Sequence, residues 1–120
     1  MINSYKELIV WKKAMDLSRL IYKETKLFPK DEMYGLTSQI RRASVSIPSN
    51  IAEGYGRKSR KEYLQFYSIA YGSVLELETQ IILAHDFGYI LDGPFTAFEK
   101  QADEVSRMLH SMILKLNAKP

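Results

Sequence analysis

Apolar positions recur along this chain at steps of three and four residues in four successive blocks, the rhythm that lines side chains up on one side of an α-helix. The last block is the most regular. Phe95, Phe98, Ala102, Val105, Leu109, Met112 and Leu116 alternate by three and four without a miss. The second block carries Leu36, Ile40, Ala43, Ile47 and Ile51, and the first carries Leu8, Trp11, Met15, Ser18 and Ile21 or Tyr22, widened by Leu17 and Leu20. The third holds two stripes. Tyr63, Phe66, Ala70, Leu77, Ile81 and Ala84 form one, and Leu64, Tyr67, Tyr71, Leu75 and Ile82 stand about 100° around the helix from it. One bundle core rarely needs both, so the second stripe predicts a closed homo-oligomer.

Stop and start signals divide the blocks. Asn3 or Ser4 is placed to cap the first helix, and Phe28-Pro29 ends it, because the residue before a proline is pushed out of the helical region. Asp31 is the expected cap of the second helix, and Gly54 and Gly56 are expected to end it in left-handed conformations. Ser59 and Glu62 have capping-box spacing, Gly88 follows the third block, and Gly93-Pro94 opens the fourth. Helices are thus predicted near 4–27, 32–53, 60–87 and 94–117, with connections short enough for antiparallel neighbours. The expected fold is all-α, an antiparallel up-and-down four-helix bundle forming a single domain over 1–120. Leu36, Ile40, Ile47, Phe66, Leu77, Ile81, Phe98, Val105, Leu109 and Met112 are expected to be buried, and Trp11, on its seam, to serve the core.

Three places break the pattern. Pro48 inside the second helix removes one backbone bond and crowds the Ser44 carbonyl, which predicts a kink, with the Ser44, Ser46 and Ser49 hydroxyls near enough in sequence to satisfy what is freed. Gln39, Arg42, Ser46, Ser49 or Asn50, and Glu53 form a polar stripe that either ties this helix to its neighbour or makes a binding site. Gly72-Ser73 falls in mid-helix, where a glycine usually marks close approach of another backbone. Glu76 and Gln80 share a face with Ser73 and are placed to oppose Arg41 or Arg42.

Composition narrows the class. A chain of 120 residues with 46% apolar and 26% charged side chains is large enough for one core and too short for two. The absence of cysteine excludes disulfides and thiolate metal sites and agrees with a reducing compartment. The first residues lack the basic-then-apolar layout of a signal peptide, and no apolar run approaches the ~20 residues of a membrane span, so a cytoplasmic location without a membrane partner is expected. The net charge of +3 hides a split: residues 1–61 hold thirteen Lys/Arg against six Asp/Glu, residues 62–120 four against eight. A polyanionic partner would explain it, and so would halves that complement each other within an oligomer.

Catalytic patterns are not legible. Gly54-Tyr-Gly56-Arg-Lys-Ser59 follows a helix rather than a strand and lacks the remaining spacing of a phosphate loop. Asn50, Glu53 and Arg57 share the end of the second helix but have no second carboxylate or metal partner for phosphodiester chemistry. His85 and His110 lack ligand spacing. The expectation is a protein that is not an enzyme, with no metal and no cofactor. What remains is a basic corner: Arg57, Lys58, Arg60 and Lys61, with Arg41 and Arg42 as candidate neighbours, suit phosphate oxygens. Tyr55 and Tyr63 flank the run and have the flat faces on which unpaired bases stack.

The order of residues in LTSQIRRASVSIPSNIAEGYGR (36–57), with Leu8-Ile9-Val10-Trp11 before it and the run from Ile69 to Glu78 after it, resembles the bacterial four-helix-bundle family of 23S rRNA intervening-sequence proteins. The resemblance covers nearly the whole chain. It implies a compact up-and-down bundle, a homopentamer, and association with reading frames inside 23S rRNA intervening sequences. The accessory proteins of diversity-generating retroelements look like distant relatives that bind nucleic acid and a reverse transcriptase. No catalytic residue is established for the family. The expected function is therefore a non-enzymatic, oligomeric RNA-binding protein, with a structural assembly module that binds a protein partner such as a reverse transcriptase as the alternative.

Overall fold

The computed structural model describes residues 2–118, which form four α-helices: α1 (Ile9–Thr25), α2 (Leu36–Tyr55), α3 (Arg60–Asp86) and α4 (Asp92–Asn117). Each helix packs on its chain neighbours and α1 closes onto α4, while the backbones of diagonal pairs among the described helices stay more than 8 Å apart. Residue pairs fix the directions. Thr25 meets Arg41 where Ser18 meets Ser44, Ser46 meets Ser73 where Gly54 meets Tyr67, and His85 stacks on Phe95 where Tyr71 meets His110. In each case one helix advances as the other retreats, so successive helices are antiparallel. The bundle measures 48 × 22 × 21 Å.

The core is one continuous cluster built from all four helices. Leu17, Ile21, Ile40, Ile47, Ile51, Leu77, Ile81, Phe98, Val105 and Leu109 are fully enclosed. Of the residues expected inside, Leu36, Phe66 and Met112 are only half-buried, since they lie near helix ends. In α1 the buried line is Val10, Ala14, Leu17, Ile21 and Thr25 rather than the Leu8, Trp11, Met15 and Ser18 stripe. Both lines have helical spacing. Leu8 and Trp11 flank the core, and Trp11 meets Tyr5 edge to face at 5.3 Å.

Helix boundaries differ from expectation chiefly at N-termini. Ser4 caps a 3-10 turn at Tyr5–Glu7, and Leu8 (φ −68°, ψ 126°) is extended, which delays α1 to Ile9. Asp31 falls in a second 3-10 turn, and the α2 terminus is held instead by Glu32, whose Oε1 accepts from the Leu36 amide (3.2 Å) while Oε2 accepts from the Tyr89 hydroxyl (2.9 Å). Ser59 caps α3 as expected, accepting from the Glu62 amide at 3.2 Å. Gly54 and Gly56 are not left-handed. Gly54 lies buried within α2, Gly56 has φ −78°, and the left-handed conformation belongs to Gly88 (φ 81°) after α3.

Pro48 sits inside an otherwise continuous α2, and the carbonyl it deprives of an amide is supplied from another helix. The Ser18 hydroxyl of α1 donates to the Ser44 carbonyl at 2.8 Å, whereas the local hydroxyl of Ser44 donates to Arg41. Ser18→Ala should therefore cost about 1–3 kcal/mol by orphaning a buried acceptor. Adding Pro48→Ala, which restores the amide, should recover most of that cost. A double-mutant cycle in urea checks this, and additive effects would refute it.

Candidate nucleic-acid interface

Antiparallel packing brings the C-terminus of α2, the N-terminus of α3 and the C-terminus of α4 to one end of the bundle. The basic run lies on the turn between α2 and α3, where Arg57, Lys58, Arg60 and Lys61 are all exposed. Arg57 is partly committed: its guanidinium lies 3.6 Å from Glu53 and covers the Phe66 ring at 4.6 Å. Lys58 and Lys61 extend from an exposed turn and the first turn of α3. The Ser59 hydroxyl donates to Glu62, which places one carboxylate beside these cations.

Arg41 and Arg42 do not join this corner. Arg41 precedes Arg57 by sixteen residues, about 24 Å of helix. It fastens α2 to α1, with Nε donating to Thr25 Oγ1 (2.8 Å) and the guanidinium over the Tyr22 ring (4.7 Å). Arg42 is exposed on the same stretch of α2. Glu76 accepts from Gln80 on its own helix (3.2 Å) rather than opposing either arginine. The polar stripe of α2 makes its helix-to-helix tie through Ser46, 2.9 Å from Ser73 Oγ, while Asn50 turns its amide back onto Ser46 and Glu53 is exposed.

The tyrosines flanking the run converge. Tyr55 ends α2 with its hydroxyl donating to the Ile2 carbonyl (3.1 Å), and Tyr63 in the first turn of α3 lies against Tyr67 one turn on, their rings 6.3 Å apart and 14° from parallel. These three rings, with Met112, Lys115 and Leu116 of α4, line a groove of about 540 Å³. Burial, and then Tyr63 and Tyr55, push the Tyr67 phenol above its ordinary pKa, so it stays a neutral hydroxyl at physiological pH. Tyr67 reads in the sequence as part of the outer stripe of α3. Its spacing of four from Tyr63 was the signal that the two share a face.

The remaining outer stripe divides in the same way. Tyr71 packs against the core and His110, whereas Leu75 and Ile82 are exposed along with Ile69 and Leu83. Gly72 lies among them with open space where a side chain would stand, so among the described residues no other helix backbone approaches it. Beside this stripe a groove of about 730 Å³ between α3 and α4 carries Glu78, Glu99 and Asp103. Burial, reinforced by Asp103 and Glu99, raises the Glu78 pKa. Elsewhere His85 contacts Asp92 (2.7 Å) and stacks on Phe95, which uses it to join α3 to α4. Among the described residues no group of three metal-ligating side chains is placed to hold an ion, and no helix is long and apolar enough to cross a membrane.

No curated protein matches the chain. Among solved structures it is similar to the crystal structure of a protein of unknown function from the S23 ribosomal protein family of Bacteroides thetaiotaomicron. The TM-score is 0.81 over 88% of this chain and 95% of that one, with 24% sequence identity, a likeness of fold. The family model described as 23S rRNA-intervening sequence protein matches residues 6–111, which spans all of α1, α2 and α3 and most of α4. With its motif, its helix order and that match in agreement, the chain belongs to the 23S rRNA-intervening sequence protein family.

Proposed function

We propose that this protein is a non-enzymatic homo-oligomer that binds RNA through the basic corner at one end of its bundle, in association with 23S rRNA intervening sequences. The observation that carries the reading is the exposure of Arg57, Lys58, Arg60 and Lys61 together on the turn between α2 and α3. One corner is a modest patch. A ring, of five subunits as the family resemblance implies, repeats it around an axis, so that weak phosphate interactions add through high effective concentration. Filter binding of generic single-stranded RNA should weaken steeply with salt, and Lys58→Ala with Lys61→Ala should flatten the logarithmic slope by about 1.4, at roughly 0.7 for each phosphate no longer neutralised. These two lysines are chosen because removing Arg57 would also uncover Phe66. No RNA binding at low salt by an intact oligomer would defeat the proposal.

The exposed stripe of Ile69, Leu75, Ile82 and Leu83 favours a second reading, an assembly module in which this face meets a neighbouring subunit or a protein such as a reverse transcriptase. Leu75→Glu with Ile82→Glu should convert the assembly to monomers in light scattering while leaving the helical signal intact. A wild-type monomer at micromolar concentration, or an oligomer untouched by both changes, would rule this face out. If the two lysine substitutions weakened the oligomer rather than RNA binding, the assembly reading would replace the first.

A further inference from the structure

We infer that the tyrosine groove at the corner end of the bundle is a pocket for one unpaired base of a single-stranded RNA. This inference rests on the RNA reading above and adds to it the kind of RNA taken. The groove, at about 540 Å³, falls within the ~300–1,000 Å³ typical of small-ligand sites. Three rings from two helices line it with Met112 and Leu116; Tyr67 is buried, and the half-exposed Tyr55 and Tyr63 provide the flat apolar surface on which a base stacks. Tyr63 and Tyr67 stand nearly parallel on one rigid helix, and the Tyr55 hydroxyl is tied to the Ile2 carbonyl, so the rings are held in place before a ligand arrives.

Charge chooses the occupant. Lys115 is part of the lining, and Lys58 and Lys61 belong to the turn and first helical turn that connect Tyr55 to Tyr63. A nucleotide combines a flat ring with an attached phosphate, and this end of the bundle combines a ring-lined slot with cations around it. An apolar protein segment would make no use of the cations. Bases in an A-form duplex are stacked inside and read mainly by shape and backbone, so a slot of this kind requires a base already splayed out. The groove is also separate from the exposed apolar stripe of α3, since Ile69 stands about 200° around the helix from Tyr67 and Leu75 lies about 12 Å along it.

The test compares three probes on the intact protein by fluorescence anisotropy: a ten-nucleotide single-stranded RNA with one 2-aminopurine, an abasic ribose-phosphate oligomer of equal length, and the same RNA in a blunt duplex. The single strand should bind about 5- to 160-fold more tightly than the abasic oligomer, the range expected from stacking one base. 2-Aminopurine emission should be quenched on binding. Tyr63→Leu keeps apolar bulk but removes the ring face, and it should erase most of that difference while leaving abasic affinity unchanged. Equal affinity for single strand and abasic oligomer overturns the pocket and leaves the phosphate-binding corner standing. Duplex binding as tight as single-strand binding also overturns it. Failure to bind any of the three defeats the RNA reading and the pocket together. The wild-type comparison decides the matter even if a variant folds poorly.

Discussion

Leu109→Asp is expected to leave no cooperatively folded protein. Leu109 is wholly enclosed in α4 within the cluster shared by all four helices, between Val105 and Met112 on the seam. Removing its side-chain volume alone costs about 2–5 kcal/mol, as in leucine truncations elsewhere. The aspartate adds a carboxylate that must either stay charged in an apolar site or take up a proton against its normal pKa, a further cost of several kcal/mol. Against a total stability of roughly 5–15 kcal/mol for a domain, the sum removes most or all of the folding free energy. Circular dichroism and gel filtration should show lost helicity or aggregation, whereas Leu109→Met, which conserves volume, should cost less than about 1.5 kcal/mol. A soluble Leu109→Asp variant melting like the parent would refute the assignment of this seam to the core.

Gly54→Val should be the most damaging change near the proposed RNA site. A Cβ at Gly54 would stand 2.8 Å from Tyr67 Cε1 and 3.1 Å from Phe66 Cβ, and the second of these is a side-chain root that moves only with the α3 backbone. Two effects oppose each other for the smaller Gly54→Ala change. Alanine favours the helix by about 1 kcal/mol over glycine, while overpacking a tight interface costs about 1–3 kcal/mol. Overpacking should win, making alanine mildly destabilising and valine clearly so. Because Tyr67 forms one wall of the tyrosine groove, both changes should also lower affinity for single-stranded RNA more than for the abasic oligomer. Thermal melts read the first effect, and an alanine variant more stable than the parent would show that α3 yields freely at this point.

Much of the architecture follows from local periodicity. A run such as Phe98, Ala102, Val105 and Leu109 makes a helix with one apolar side wherever it is placed, and Ser59 caps α3 through an amide three residues away. The four helices, their order and the run of cations on the turn between α2 and α3 were therefore legible, because each depends on neighbours within a few residues. Where two stripes had equally good spacing, as in α1 and α3, the choice of the inward face was made by the helices packed against them. The buried Val10 and Ala14 line of α1 and the outward turn of Leu75 and Ile82 are outcomes of that packing.

The remaining decisions are long-range. Ser18 reaches the carbonyl stranded by Pro48, Ser46 meets Ser73, and Arg41 is drawn to Thr25 because antiparallel register sets these distant pairs side by side. No spacing along the chain encodes such a register in a form readable before the helices dock. The same holds for the proposed RNA site: Tyr55, Tyr63 and the cations between them are contiguous in the chain, but the groove exists only because the end of α4 brings Met112, Lys115 and Leu116 against Tyr67. The sequence by itself determined which side chains are available at that end of the bundle, and tertiary packing decided that they line one open groove, since a groove needs walls from segments far apart in the chain.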